Sequence, residues 1–231
     1  MRTISRLGHF CARGRQLHGI EHVTSGRFVG AGDAGNDTWF YRRGRRVGEN
    51  RGMTDSAKYC LTTVRLGFRL WTPEDLPLAL QLWMDPKVTS LIGGPFSEEV
   101  VRKKLAAELA TMADSNVQYW PLFLLVTDEH VGCGGLRPYR STEPTSGDQN
   151  AGIYEIGFHL RPTFWGQGLA EEAGRAIVTY AFEKLKVKGL FAGHHPANAA
   201  SRRVLEKVGF TFTHEEFYPP TGMKHPSYLL L

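Results

Sequence analysis

One junction limits what this chain can fold into: a strand pattern at Ile153–Leu160 that runs into a glycine-punctuated helix start. Tyr154, Ile156, Phe158 and Leu160 alternate with Glu155, Gly157 and His159, which is the period of a strand. Pro162 ends that pattern. From Leu169 the period changes, because Leu169, Ala173, Ala176, Ile177, Tyr180 and Ala181 recur at helical spacing and make one apolar face. Gly166 and Gly168 stand between the two. Free N–H groups at a helix start attract an anion, and glycine removes the Cβ that would hold a phosphate oxygen away. The spacing predicts a cradle for a diphosphate.

The rest of the chain sets the class of protein around that cradle. With 231 residues, 42% of them hydrophobic, it can bury one ample core. Its best apolar run, residues 122–126, is strand length, so no membrane span is expected. Cys11, Cys60 and Cys133 are odd in number and lack ligand spacing, which argues against a disulfide framework or a zinc cluster and for a reducing, cytoplasmic setting. The net charge of +5 does not mark a nucleic-acid-binding domain. Residues 1–52 hold ten Arg, no Lys and four acidic side chains, and the remainder holds eighteen basic and nineteen acidic ones.

Residues 1–58 read as a disordered Arg/Gly-rich leader, with Met53 as an alternative start; an organelle-targeting segment and an RNA-binding tail around Arg43 and Arg46 are the rival readings. Residues 59–231 read as one domain. Leu66, Phe68 and Leu70 alternate as a first strand, and Thr72-Pro73 opens a helix that runs to Asp85-Pro86. Ser97 opens a second helix, with Val100, Val101, Leu105 and Leu109 on its apolar side. Residues 120–127 and 131–137 flank a turn and read as a hairpin, and residues 141–150 read as a polar loop. A helix over 168–185, a short strand at Gly189–Gly193, a helix over 198–207 closed by Gly209, and a final antiparallel pair (210–217 and 227–231) complete the order β α α β β β α β α β β.

That order, together with its residues, resembles the GNAT superfamily of acyl-CoA N-acyltransferases over about residues 62–231, and most of all the branch of ribosomal-protein-alanine N-acetyltransferases. The branch shows an early strand like Arg65-Leu66-Gly67-Phe68-Arg69-Leu70 and an Asp-Pro like Asp85-Pro86. The family's pattern Gln/Arg-x-x-Gly-x-Gly/Ala falls on Trp165-Gly166-Gln167-Gly168-Leu169-Ala170, with Trp in first place. A second block is matched by residues 198–210. The resemblance implies an α/β, or mixed α+β, fold whose central, mostly antiparallel twisted sheet has splayed middle strands and flanking helices. It implies acetyl-CoA as co-substrate, no metal, and a primary amine acceptor, either a protein N-terminus or a small molecule. A non-catalytic CoA-binding or sensory module is the alternative, and a monomer or homodimer is expected.

Residue by residue, residues 167–170 would give backbone N–H groups to the diphosphate, with Trp165 and Gly166 leading into them. Phe158, His159 and Leu160 would pair with the pantetheine amides. Asn198 would bond the pantetheine or the acyl carbonyl, or else cap its own helix through Ser201, and Arg202 or Arg203 would reach the adenosine phosphate. Acyl transfer to an amine needs a base, and Glu155 is the first candidate, with an ammonium anchor as its other reading. His194 or His195 could serve as base, or the pair could hold a turn. The family's tyrosine acid is absent here; Ser201 is the nearest hydroxyl, with Tyr218 and Tyr228 farther along. Cys133, in a glycine-rich strand, reads as a packing residue in preference to an acyl carrier.

Overall fold

The computed structural model describes residues 58–139 and 152–231. Residues 1–57 of the leader, with Cys11 and Met53, and the loop over 141–150 lie outside the described residues. The first strand is short: β1 (Leu61–Thr62) pairs antiparallel with β2 (Leu66–Phe68). Leu70, expected to extend β2, is 37% exposed. The neighbouring Trp71 is buried and donates its indole N–H to the Tyr119 carbonyl at 2.6 Å, which turns the chain out of the strand.

Arg69 forks onto Asp75 at 2.6 and 2.7 Å, and Asp75 accepts from the Thr72 N–H at 2.8 Å, so a single 3-10 turn leads into α1 (Leu76–Trp83). Asp85-Pro86, expected to end the helical region, instead opens a further turn, α2 (Pro86–Thr89), because the Asp85 carboxylate caps the Lys87 N–H at 2.8 Å. Ser97 caps α3 (Glu98–Ser115), and Asn116 ends it in the left-handed region at φ 58°.

β3 (Tyr119–Leu124) and β4 (His130–Pro138) form the expected hairpin, although His130 already belongs to β4, because the register slips by a bulge after Leu122. β5 (Ile153–Leu160), α4 (Leu169–Tyr180), β6 (Gly189–Gly193) and α5 (Ala199–Val208) follow in the order read from the sequence. The helix expected over 168–185 changes to a π turn at Ala181–Leu185, and Lys186 then reverses the chain at φ 54°. β7 (Thr211–Tyr218) and β8 (Met223–Leu230) close the fold, β8 starting earlier than expected because Gly222 completes a tight turn at φ 66°.

Among the described residues eight strands make one sheet in the order β1-β2-β3-β4-β5-β6-β8-β7, and β5–β6 is its single parallel pairing. α4 and α5 pack with Leu136, Ile156, Leu160, Leu169, Ile177 and Leu190 in one core. α1 and α3 pack with Trp71, Leu82, Trp83, Tyr119 and Cys133 in the other. The expected mixed fold, a mostly antiparallel sheet with flanking helices, is therefore the observed one.

Candidate active site

The junction between β5 and α4 has the torsions a cradle needs. Gly166 and Gly168 lie at φ 74° and 75°, and a Cβ would meet nothing within 4 Å at the first and only Arg65 Nη2, at 3.7 Å, at the second. Glycine is required there by torsion, not by crowding. Trp165 turns its indole N–H back to the Leu160 carbonyl at 2.8 Å, and the Gln167 side-chain amide donates to the Thr163 carbonyl at 2.9 Å, so the loop is tied to the strand end. No N–H from residues 166–170 reaches a protein acceptor among the described residues. These donors, at the positive end of a 12-residue helix, suit an anion. The two acids of the first turn are already matched: Glu171 meets Lys207 and Arg175, both at 3.0 Å, and Glu172 meets Arg65 at 2.6 Å.

Beside the cradle the sheet opens. β5 pairs with β6 only at Ile153, Tyr154 and Glu155, opposite Gly189, Leu190 and Phe191. Along β4, the Tyr139 N–H donates to Ile153 and the Arg161 N–H to Val131, which fixes the alternation of the ladder. Residues 155, 157 and 159 turn their backbone toward β4, and residues 156, 158 and 160 turn theirs toward the gap. His159 therefore contributes no main chain to the opening; Phe158 and Leu160 do, and the Leu160 carbonyl already accepts from Trp165. The Phe158 ring lies between β4 and α4, within 2.8 Å of where a Cβ on Gly134 would be and 3.3 Å of one on Gly174.

Glu155 occupies the last paired rung, between Arg137 of β4 and Phe191 of β6. Its carboxylate accepts from the Tyr119 hydroxyl at 3.2 Å. Burial pushes its pKa up; the Arg137 charge and the Tyr119 hydrogen bond pull it partway back, and Glu216 and Glu108 push it up again, with a net rise. Arg137 stacks 4.0 Å over the Tyr119 ring and ion-pairs with Glu108, which is fully buried and also accepts the Tyr119 N–H at 2.9 Å. Beyond Glu155, the Tyr139 hydroxyl meets Glu216 at 3.1 Å and the Tyr139 ring stacks on Phe191 at 4.1 Å.

His159 has a role other than the one read for it. Its Nδ1 accepts the Trp83 indole N–H at 3.1 Å, and burial pushes its pKa down to about 3, with Arg137 and Lys104 adding to the shift. It is a neutral, packed imidazole. Cys133 Sγ lies 3.8 Å from the same nitrogen, and burial drives its thiol pKa far up, so the thiol stays protonated.

At the start of α5, the Asn198 Oδ1 caps the Ser201 N–H at 3.0 Å, and its Nδ2 has no partner among the described residues. Ser201 is half-buried one turn away. Arg202 pairs with Glu206 at 2.7 Å, whereas Arg203 is exposed with no partner among the described residues. The His195 Nδ1 accepts the Ala197 N–H at 3.1 Å and so holds the turn. His194 is buried, with Nδ1 on the His195 carbonyl at 2.9 Å and Nε2 3.3 Å from the Tyr228 hydroxyl. Tyr218 lies against His225 with ring centroids 4.6 Å apart.

Tyr119, Arg137, Glu108, Glu216 and Tyr139 surround the site but are not singled out by the sequence, and Arg65 is read there only as part of an early strand. A signal for one of them existed. Glycine inside a strand marks a close approach, and the Tyr119 hydroxyl lies 2.4 Å from where a Cβ on Gly157 would be.

A gap lined on one side by unpaired strand amides, with an anion cradle at one end and a half-buried carboxylate at the other, fits a long amide-bearing donor that carries a diphosphate and ends in a reactive carbonyl. That is the architecture of an acyl-CoA-dependent acyltransferase. Residues 65–211 match the model of the acetyltransferase (GNAT) domain, and the chain belongs to that family. It is 32% identical over 179 residues to an Aspergillus fumigatus protein named FsC-acetyl coenzyme A-N(2)-transacetylase, covering 74% of this chain and 75% of that one. An acetyltransferase from Agrobacterium tumefaciens superposes with TM-score 0.63 at 23% identity, covering 79% of this chain and 98% of that one. The ribosomal L7/L12 alpha-N-protein acetyltransferase RimL, in complex with coenzyme A, superposes with TM-score 0.59 at 19% identity, covering 73% and 95%; both likenesses establish the fold. As a family member this protein is an N-acetyltransferase, and its co-substrate is acetyl-CoA. No helix among the described residues is long and apolar enough to cross a membrane.

Proposed function

We propose that the protein acetylates a primary amine that enters as its ammonium form between Glu155 and Glu216, with Tyr139 and Tyr218 as walls. The observation that carries this reading is Glu155: a half-buried carboxylate of raised pKa, hydrogen-bonded by Tyr119, at the rung where β5 and β6 part. Bound acetyl-CoA supplies an acetyl carbonyl activated by a thioester. Glu155 takes a proton from the ammonium, directly or through water, and so frees the nitrogen lone pair for attack. As the C–N bond forms and the C–S bond breaks, Ser201 gives its hydroxyl proton to the departing thiolate and is reprotonated by the second proton leaving the amine nitrogen. The N–H groups of residues 167–170 hold the diphosphate, Phe158 and Leu160 face the pantetheine, Asn198 Nδ2 bonds one of its carbonyls, and Arg203 meets the adenosine phosphate.

Two carboxylates at the acceptor end favour cationic amines with no carboxylate next to the nitrogen. Peptide N-termini and alkyl amines meet that condition, and free α-amino acids do not. Release of CoA thiol across peptides, polyamines and amino acids, with wild type and Glu155→Gln, tests both points. The substitution is expected to lower kcat/KM by about 10²–10⁴ and to leave CoA affinity unchanged. A Glu155→Gln enzyme as active as wild type at every pH would sink the proposed base, and a preference for free amino acids would sink the acceptor class.

A further inference from the structure

The turn between β1 and β2 lies against the diphosphate cradle although it is a hundred residues away in sequence. Arg65 spans the two. Its Nε donates to Glu172 at 2.6 Å, its Nη1 donates to the Gln167 carbonyl at 3.0 Å, and its backbone N–H meets the same Glu172 at 2.9 Å. Thr63 adds its hydroxyl to Glu172 at 2.5 Å. Two edges of the planar guanidinium are thereby fixed, which aims the third. Nη2 has no acceptor among the described residues and stands 3.7 Å from where a Cβ on Gly168 would be, beside backbone donors that are themselves uncommitted. The side chain is 47% exposed, so an incoming anion can reach it.

No other cation comes from the loop itself. Trp165 spends its only side-chain donor on Leu160, and Arg161 turns away to the His130 carbonyl at 2.8 Å. Arg175 and Lys207 are both engaged by Glu171. We propose that Arg65 donates from Nη2 to a phosphate oxygen of the CoA diphosphate, so that a residue of the β1–β2 turn supplies the positive charge of the cradle. This rests on the reading that residues 166–170 bind the diphosphate. A guanidinium held on two edges loses little freedom when it makes a third bond, and a charge-assisted hydrogen bond is stronger than a neutral one. Glu172 and Thr63 act as positioning residues for Arg65.

The test is titration calorimetry with CoA over a series of salt concentrations. Arg65→Ala is expected to weaken binding by roughly tenfold or more at low salt, the effect of losing one hydrogen bond to a charged group. It is also expected to flatten the salt dependence, because screening acts on the charge that has been removed. Arg65→Lys should recover part of the affinity and the full salt dependence, and Arg65→Gln neither. Affinity equal to wild type in Arg65→Ala overturns the proposal, and so does a loss with unchanged salt dependence, which is what a purely structural clamp would give. Gly168→Val separates this outcome from failure of the cradle reading, and Gly166→Val takes its place if melting shows that the first variant does not fold. If CoA still binds that variant normally, the cradle itself is misplaced and Arg65 falls with it; if CoA no longer binds it and Arg65→Ala is silent, Arg65 alone is refuted.

Discussion

Tyr119 and Glu155 meet across β4: the hydroxyl from β3 reaches the carboxylate on β5 at 3.2 Å, passing over Gly157. The donor favours the ionised form of a carboxylate that burial disfavours. Tyr119→Phe removes that donor and raises the Glu155 pKa further. As the proposed base, Glu155 must be ionised to accept a proton, so activity lost on the acid side is lost at higher pH. In a profile of kcat/KM against pH, the acid limb is expected to move to higher pH while the affinity for CoA stays constant. A limb that stays in place refutes the coupling.

Gly157 leaves room for this contact. A Cβ there would lie 2.4 Å from the Tyr119 hydroxyl and 2.6 Å from the ring carbon that bears it. Gly157→Ala must displace the tyrosine, and overpacking of this kind costs about 1–3 kcal/mol. The expected result is a lowered melting temperature together with the pH shift of Tyr119→Phe, read by thermal unfolding and the same pH profile.

Local signals were enough for much of the fold. β5 shows as alternation closed by Pro162, and α5 as Asn198 before and Gly209 after it, because each signal lies within a few residues of the element it sets. α2 was hidden because Asp85-Pro86 ends one helix and begins another by a cap that only geometry reveals. In the site, Gly166, Gly168 and Glu155 were visible as one continuous stretch. Tyr119, Arg137 and Glu216 were not, since strand register brings them to Glu155 from 36, 18 and 61 residues away, and register is fixed by the packed sheet as a whole. The same register turns the His159 main chain away from the gap it had been expected to line.

Glu108 is the buried anchor of this cluster. It is fully buried, accepts the Tyr119 N–H at 2.9 Å and ion-pairs with Arg137. Glu108→Ala leaves a buried backbone donor without its acceptor and takes the partner from a half-exposed guanidinium, a loss of about 1–3 kcal/mol. Chemical denaturation is the direct measurement, and Glu108→Gln, which keeps an acceptor for Tyr119, is expected to lose less.

His130 sets an acid limit on stability. Neither ring nitrogen has a hydrogen-bond partner among the described residues, and burial pushes its pKa down to about 4, with the charges of Arg161 and Arg69 adding to the shift. The unfolded chain binds this proton near pH 6.5 and the folded one does not, so between about pH 6.5 and 4 the unfolded state holds more protons and stability falls as pH falls. The full loss from this one residue is about 3 kcal/mol, reached near pH 4. His159, with its pKa near 3, acts in the same direction. Denaturant midpoints measured across this range are expected to fall less steeply in His130→Phe than in wild type.

The brief contact between β5 and β6 also has a mechanical side. Three rungs join a five-stranded half-sheet, β1 to β5, to a three-stranded one, β6, β8 and β7. Past the third rung the sheet is an unfinished seam, and a donor whose amides bond Phe158 and Leu160 would stitch it. Loading the donor would then stiffen the strand junction that carries Glu155, so the carboxylate proposed as proton acceptor would be held most firmly when there is an acetyl group to transfer.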